Sequence, residues 1–151
     1  MSDLAKSLLL GMLFLMAGCR ADRHSSAGFR LPVDGDVERG KAAFITLGCN
    51  NCHQVTGADL PLPTVQLPVP VVLGGLIGEP ITDGHLVTSI IYPAYQLRDQ
   101  LARYPRAEIT RKGEPRMPHY AEKMTVRQLT DIVAFLQSKY VVQRPMPEYY
   151  H

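Results

Sequence analysis

The sequence predicts an all-α domain of short helices joined by long loops, on three observations. Residues before Cys49 and after Thr125 fall at helical spacing, each run with its own cap signal. Between them lie four prolines in ten residues, Pro61, Pro63, Pro68 and Pro70. That density excludes a regular helix or a central strand there.

At the N-terminus, the apolar run Leu8 to Met16 is too short to span a bilayer and has the length of a signal-peptide core. Small residues then lead to Cys19. Leu15-Met16-Ala17-Gly18-Cys19 resembles the bacterial lipobox, whose last cysteine is acylated and becomes the new N-terminus after cleavage. The resemblance implies a leader over residues 1–18 and a membrane anchor at Cys19. An ordinary signal peptide that happens to end in cysteine is the alternative. Residues 19–33 include Ser25, Ser26, Gly28 and Pro32 among mixed charges and read as a flexible tether. Its r.m.s. reach is roughly 20 Å.

The domain is expected over residues 34–142. Asp34 or Asp36 can cap the first helix, in which Val37, Gly40, Lys41, Phe44 and Ile45 share helical spacing, with Gly48 as its stop. That helix delivers Cys49-Asn50-Asn51-Cys52-His53, a C-x-x-C-H sequence for covalent haem attachment. Two thiols three positions apart can each add across a haem vinyl group, and the adjacent imidazole can ligate the iron. A structural zinc site would need two more soft ligands in a second pair, which the sequence lacks. A thioredoxin-like redox centre would need a strand before the motif, where a helix is expected. One motif implies one haem c.

The segment from Gly57 to Pro80 is both Pro-rich and apolar, ending in Val71-Val72-Leu73-Gly74-Gly75-Leu76-Ile77-Gly78. A loop this apolar is reasonable if it wraps an apolar cofactor; a membrane- or partner-facing patch is the alternative. Thr82 or Asp83 can cap a short helix holding Leu86, Val87, Ile90 and Ile91, stopped by Pro93. Another turn or two of helix is expected over 95–104. Arg98, Arg103, Arg106, Arg111, Lys112 and Arg116 form a basic stretch, read as solvated surface, with a docking patch as the sharper alternative. The last helix opens on Thr125-Val126-Arg127-Gln128, a T-x-x-Q capping box. Leu129, Ile132, Val133 and Leu136 follow as its apolar stripe, and the helix should end near Tyr140, leaving 143–151 as a tail.

The full chain carries a formal charge of +2, and without residues 1–18 it retains 15 basic against 13 acidic residues. Two haem propionates would bring that near zero, so docking relies on local patches. Nothing in the balance indicates nucleic acid. With Cys49 and Cys52 given to haem and Cys19 to lipid, no cysteine is left over. Haem attachment in bacteria takes place outside the cytoplasm, in agreement with the leader.

The sixth iron position separates electron transfer from ligand chemistry. Downstream candidates are His85, Met117, His119, Met124, Met146 and His151. Met117, followed by Pro118 in a polar loop, has no evident core face to fill, and a thioether suits iron in both oxidation states. His119 would instead give bis-histidine ligation; Met124 reads as core and His85 as surface.

From about Val37 to Tyr140 the chain resembles the class I, monohaem cytochrome c family. The resemblance rests on Gly40-x-x-x-Phe44, Cys49 to His53, Leu73 to Gly78, Met117-Pro118, and Ile132-Val133-Ala134-Phe135-Leu136. It implies the cytochrome c fold, with N- and C-terminal helices crossing at Gly40, Phe44 and Phe135 and with loops and short helices around the haem. It further implies His53 as proximal ligand, Met117 as distal ligand and Leu73 against the haem. A proline carbonyl fixes the proximal histidine in that family. Pro70 lies one residue out of register for this role, and Val71 occupies the matching place.

These readings together describe a non-enzymatic, lipid-tethered electron carrier on the periplasmic side of a membrane, serving redox partner proteins. Arg20 stands where an aspartate would, by resemblance to the enteric sorting signal, retain a lipoprotein in the inner membrane, which favours the outer one. Two alternatives stay open: a haem subunit of a larger oxidase or dehydrogenase, and an open-site peroxidase or gas-binding protein.

Overall fold

The computed structural model describes residues 29, 31, 34–64, 71–95, 110–112 and 114–143. Cys19, where lipidation is expected, the expected leader over 1–18, most of the expected tether, Pro70, residues 96–109 and the tail from 144 lie outside the described residues.

Among the described residues, three α-helices carry the fold. Helix α1 spans Val37–Thr46 and is capped by Asp36, whose side chain accepts the Arg39 N–H. It ends as expected before Gly48, which takes a left-handed φ of 74° and turns the chain into the haem motif. Helix α2, Asp83–Ile91, is capped by Thr82, which accepts the His85 N–H. Helix α3, Val126–Gln137, begins at the full capping box: Thr125 accepts from Gln128 N–H while the Gln128 side chain accepts from the Thr125 N–H.

The connections are not plain loops, which amends the all-α expectation. They form three short ladders: β1 (His53–Val55) parallel to β2 (Val71–Leu73), β3 (Gly75–Ile77) parallel to β6 (Tyr140–Val142), and β4 (Thr110–Arg111) antiparallel to β5 (Glu114–Pro115). Gly74 and Gly75, at φ of 78° and 89°, turn the chain between the two parallel ladders. Helix α3 stops at Gln137, three residues short of Tyr140, because Tyr140, Val141 and Val142 pair with β3. β-Branched residues gain more on a pleated edge than in another helical turn.

Helices α1 and α3 make the main interhelix contact. Phe44 and Phe135 meet edge to face with centroids 5.6 Å apart, and both side chains are fully buried. On the other side α3 meets α2, whose Leu86, Val87 and Ile90 close the core. Helix α3 therefore buries more than its apolar stripe. Gln137 donates to the Ile81 carbonyl at 2.7 Å and to Asp83 Oδ1 at 3.0 Å, satisfying an otherwise costly buried amide.

Asp131, only 2% exposed, accepts the Asp36 N–H at 2.8 Å and the Arg39 guanidinium at 3.0 and 3.2 Å. This carboxylate ties the start of α1 to the middle of α3. The Arg39 bonds hold its carboxyl below the usual carboxylate range, against the opposing pull of burial, with the Asp36 N–H and the charges of Arg39 and Arg127 adding to the effect. A depressed folded-state pKa stabilises the fold above the unfolded value of about 3.9, and the contribution disappears as pH falls through the folded value. Asp131→Asn should therefore lower the denaturation midpoint at neutral pH by an amount that shrinks below about pH 4. A difference that stays constant from neutral to strongly acid pH, followed by far-UV circular dichroism, would show that another carboxyl sets the acid response.

Candidate haem-attachment site

The motif sits on the sharp turn that α1 hands over. Past Gly48, a 3₁₀ turn spans Cys49–Asn51, closed by Asn51 N–H to Gly48 carbonyl at 3.1 Å and Cys52 N–H to Cys49 carbonyl at 3.2 Å. His53 then opens β1. Both cysteines are free thiols, Cys49 buried and Cys52 partly exposed. Burial pushes the Cys49 thiol up to about 11, with Cys52 adding to the rise and the local backbone opposing it.

His53 is fixed on several sides. Its ring lies 6.4 Å from the Phe44 centroid, so the crossing residue of α1 also backs the imidazole. The β1–β2 register sets His53 opposite Val71. Burial holds the imidazole below the usual histidine range, and the Val71 backbone works in the other direction. Nδ1 itself is buried without a hydrogen bond.

The two variable positions of the motif hold the next loop. Asn50, itself buried, donates to the Pro61 carbonyl at 3.3 Å, and Asn51 Oδ1 accepts from the Thr64 hydroxyl at 2.7 Å. The loop through residues 58–64 is thereby drawn alongside His53. Between them lies a cleft of about 240 Å³ lined by His53, Val55, Leu60, Pro61, Leu62 and Pro63. Leu62 and Val71 are 87% and 40% exposed, an apolar surface that a flat hydrophobic macrocycle would cover. Two free thiols beside an imidazole whose Nδ1 is buried in the protein, next to an uncovered apolar wall, fit an attached haem.

The other expected site residues fall as follows. Leu73 is partly buried at the end of β2 and packs on the core. Met117 lies at a bend, partly buried against the core, while Pro118 and His119 are exposed. Met124 packs on the core and His85 is exposed at the start of α2, in keeping with core and surface readings. Met146 and His151 lie outside the described residues. Asn50, Asn51 and Tyr120 were not legible as site residues. The asparagines occupy the unspecified motif positions, and Tyr120 offers only an aromatic three residues after Met117 as a signal.

The fold and the turn define a protein built to hold one covalently attached haem between a helix crossing and apolar loops. A family model for cytochrome c matches residues 37–139, and the chain belongs to the cytochrome c family. Comparison with curated proteins and with solved structures gives no match. Membership makes this a haem-binding electron-transfer protein whose cofactor is covalently attached haem c.

Proposed function

We propose that the protein is a membrane-tethered monohaem cytochrome that carries single electrons between redox partner proteins on the periplasmic side, the outer membrane being favoured. The observation that carries this reading is the Cys49 to His53 turn, with two free thiols and an imidazole whose Nδ1 is turned into the protein. Nε2 is then the nitrogen left for iron. Haem c, when bound, supplies a one-electron iron couple at a potential set by its axial ligands and surroundings.

The chain's own residues do the rest. Cys49 and Cys52 hold the cofactor by thioether bonds. His53 would hold the iron, backed by Phe44, with the Val71 backbone in the place from which a carbonyl can orient Nδ1–H. Met117 would supply the second protein ligand to the iron and keep small ligands out. The loop held by Asn50 and Asn51 lines the cleft beside His53 and would exclude water, and Leu73, packed on the core, would lie against the haem. Cys19 carries the lipid anchor, and residues 20–33 give the domain room to turn toward donor and acceptor. No substrate bond is made or broken.

The visible spectrum of the purified holoprotein tests this directly. We expect reversible one-electron cycling, a low-spin ferric spectrum with the weak methionine–iron charge-transfer band at the red end, and no CO adduct on the reduced protein. A high-spin ferric spectrum with avid CO binding would instead support an open-site enzyme or gas-binding protein.

A further inference from the structure

We propose that Tyr120 is the positioning residue that holds Met117 at the haem iron, by tying the distal loop to the turn that carries the proximal cysteines. This rests on the reading of Met117 as the distal ligand.

Met117 lies on an irregular stretch between β5 and α3, so neither helix nor strand fixes it. What closes this stretch is Tyr120. Its carbonyl accepts the N–H groups of Lys123 at 2.9 Å and Met124 at 3.2 Å, making a compact turn before α3. Its side chain is 8% exposed, and its hydroxyl donates to the Leu47 carbonyl at 3.1 Å, across 73 residues of chain. Leu47 is the C-cap of α1, next to Gly48, from which the haem motif departs. A carbonyl at a helix C-terminus lacks an intrahelical donor, so the tyrosine completes it.

One hydrogen bond thus joins the stretch bearing the distal methionine to the turn bearing Cys49 and His53. Between Tyr120 and Met117 stand only His119 and Pro118, and the fixed φ of proline leaves that connection little slack. Burial raises the Tyr120 hydroxyl, and Cys49 and Cys52 act in the same direction.

An iron–thioether bond persists only while the loop keeps the sulfur at the metal. External imidazole competes for iron in whatever fraction of molecules has the loop open, so its apparent affinity measures that fraction. Tyr120→Phe keeps the ring and its packing and deletes only the tie. We expect ferric Tyr120→Phe holoprotein to bind imidazole about fivefold more tightly than wild type, the size of one lost hydrogen bond, with the methionine–iron band retained when imidazole is absent. Thr130→Val is the control: it deletes the buried Thr130 hydroxyl bond to the Val126 carbonyl within α3 and should leave imidazole affinity unchanged, whatever it does to the urea midpoint.

Wild-type protein showing the band, with imidazole affinity of Tyr120→Phe within twofold of it, overturns the role given to Tyr120 and leaves Met117 ligation intact. An equal gain in Thr130→Val also overturns it, since general loosening then explains the effect. A wild-type spectrum without the band overturns Met117 ligation itself, and the Tyr120 role with it.

Discussion

Gly40→Ala should destabilise the holoprotein by about 3 kcal/mol, although alanine is the better helix former. In an exposed helix this substitution gains about 1 kcal/mol, so intrinsic propensity and packing predict opposite signs. Packing decides here because of what stands opposite. A Cβ on Gly40 would overlap the Asp131 carbonyl oxygen and lie 2.5 Å from the Asp131 carbonyl carbon and 2.8 Å from Phe135 Cβ. These are backbone and near-backbone atoms of α3, and no rotamer change can move them.

The two helices would have to separate, which disturbs the Phe44–Phe135 contact and the bonds from Asp36 and Arg39 to Asp131 together. Gly35 adds a second pinch point, where a Cβ would meet the Thr130 carbonyl oxygen and lie 2.6 Å from Ala134 Cβ. Chemical denaturation followed by far-UV circular dichroism gives the number. Gly78→Ala, whose Cβ would meet nothing within 4 Å, should stay within about 0.5 kcal/mol of wild type. A Gly40→Ala protein as stable as wild type would mean that the crossing can relax without loss.

The contrast between Gly40 and Asp131 indicates what a sequence of this kind discloses. Local signals were readable: the C-x-x-C-H spacing, the Thr125 capping box, Asp36 and Thr82 as caps, and Phe44 and Ile132 on buried helical faces. Each depends on residues within a turn or two of one another. Asp131 and Gln137 stand outside the apolar stripe of Leu129, Ile132, Val133 and Leu136, and their partners at Asp36 and Ile81 are 95 and 56 residues away, beyond any local signal.

The parallel ladders escaped notice for the same reason. Three-residue strands such as Gly75–Ile77 carry too short a pattern to register, and their partners at Tyr140–Val142 come from the far end of the chain. In the site, the motif named the thiols and the imidazole, whereas the hydrogen bonds that aim the surrounding loops, from Asn50, Asn51 and Tyr120, run between distant segments.

Met117→Ala should convert the holoprotein from a closed electron carrier to an open haem. The thioether is a weak, soft ligand that stabilises ferrous iron relative to ferric, so its loss should lower the reduction potential on the order of 0.1 V, within the roughly 0.8 V that axial ligation commands. Ferric protein should become high-spin with loss of the red-end band, and the reduced protein should bind CO, unlike a wild type ligated by Met117 as proposed. The fold should survive, because the thioether bonds at Cys49 and Cys52 and the α1–α3 crossing do not involve Met117, which is only partly buried.

The neighbouring residues make the result decisive. His119 is exposed two positions on and is the rival ligand; were it bound, Met117→Ala would leave a low-spin spectrum and an unchanged potential, while His119→Ala would open the site. Met124 packs on the core beside α3, so Met124→Ala should lower stability by about 2 kcal/mol or more in proportion to its burial and leave the spectrum alone. Electron exchange at a low barrier needs coordination that does not rearrange as the iron changes charge. On the proposed ligation by His53 and Met117, two protein ligands, each held by its own segment of the fold, would supply that condition, and removing the weaker one should slow self-exchange as well as shift the potential.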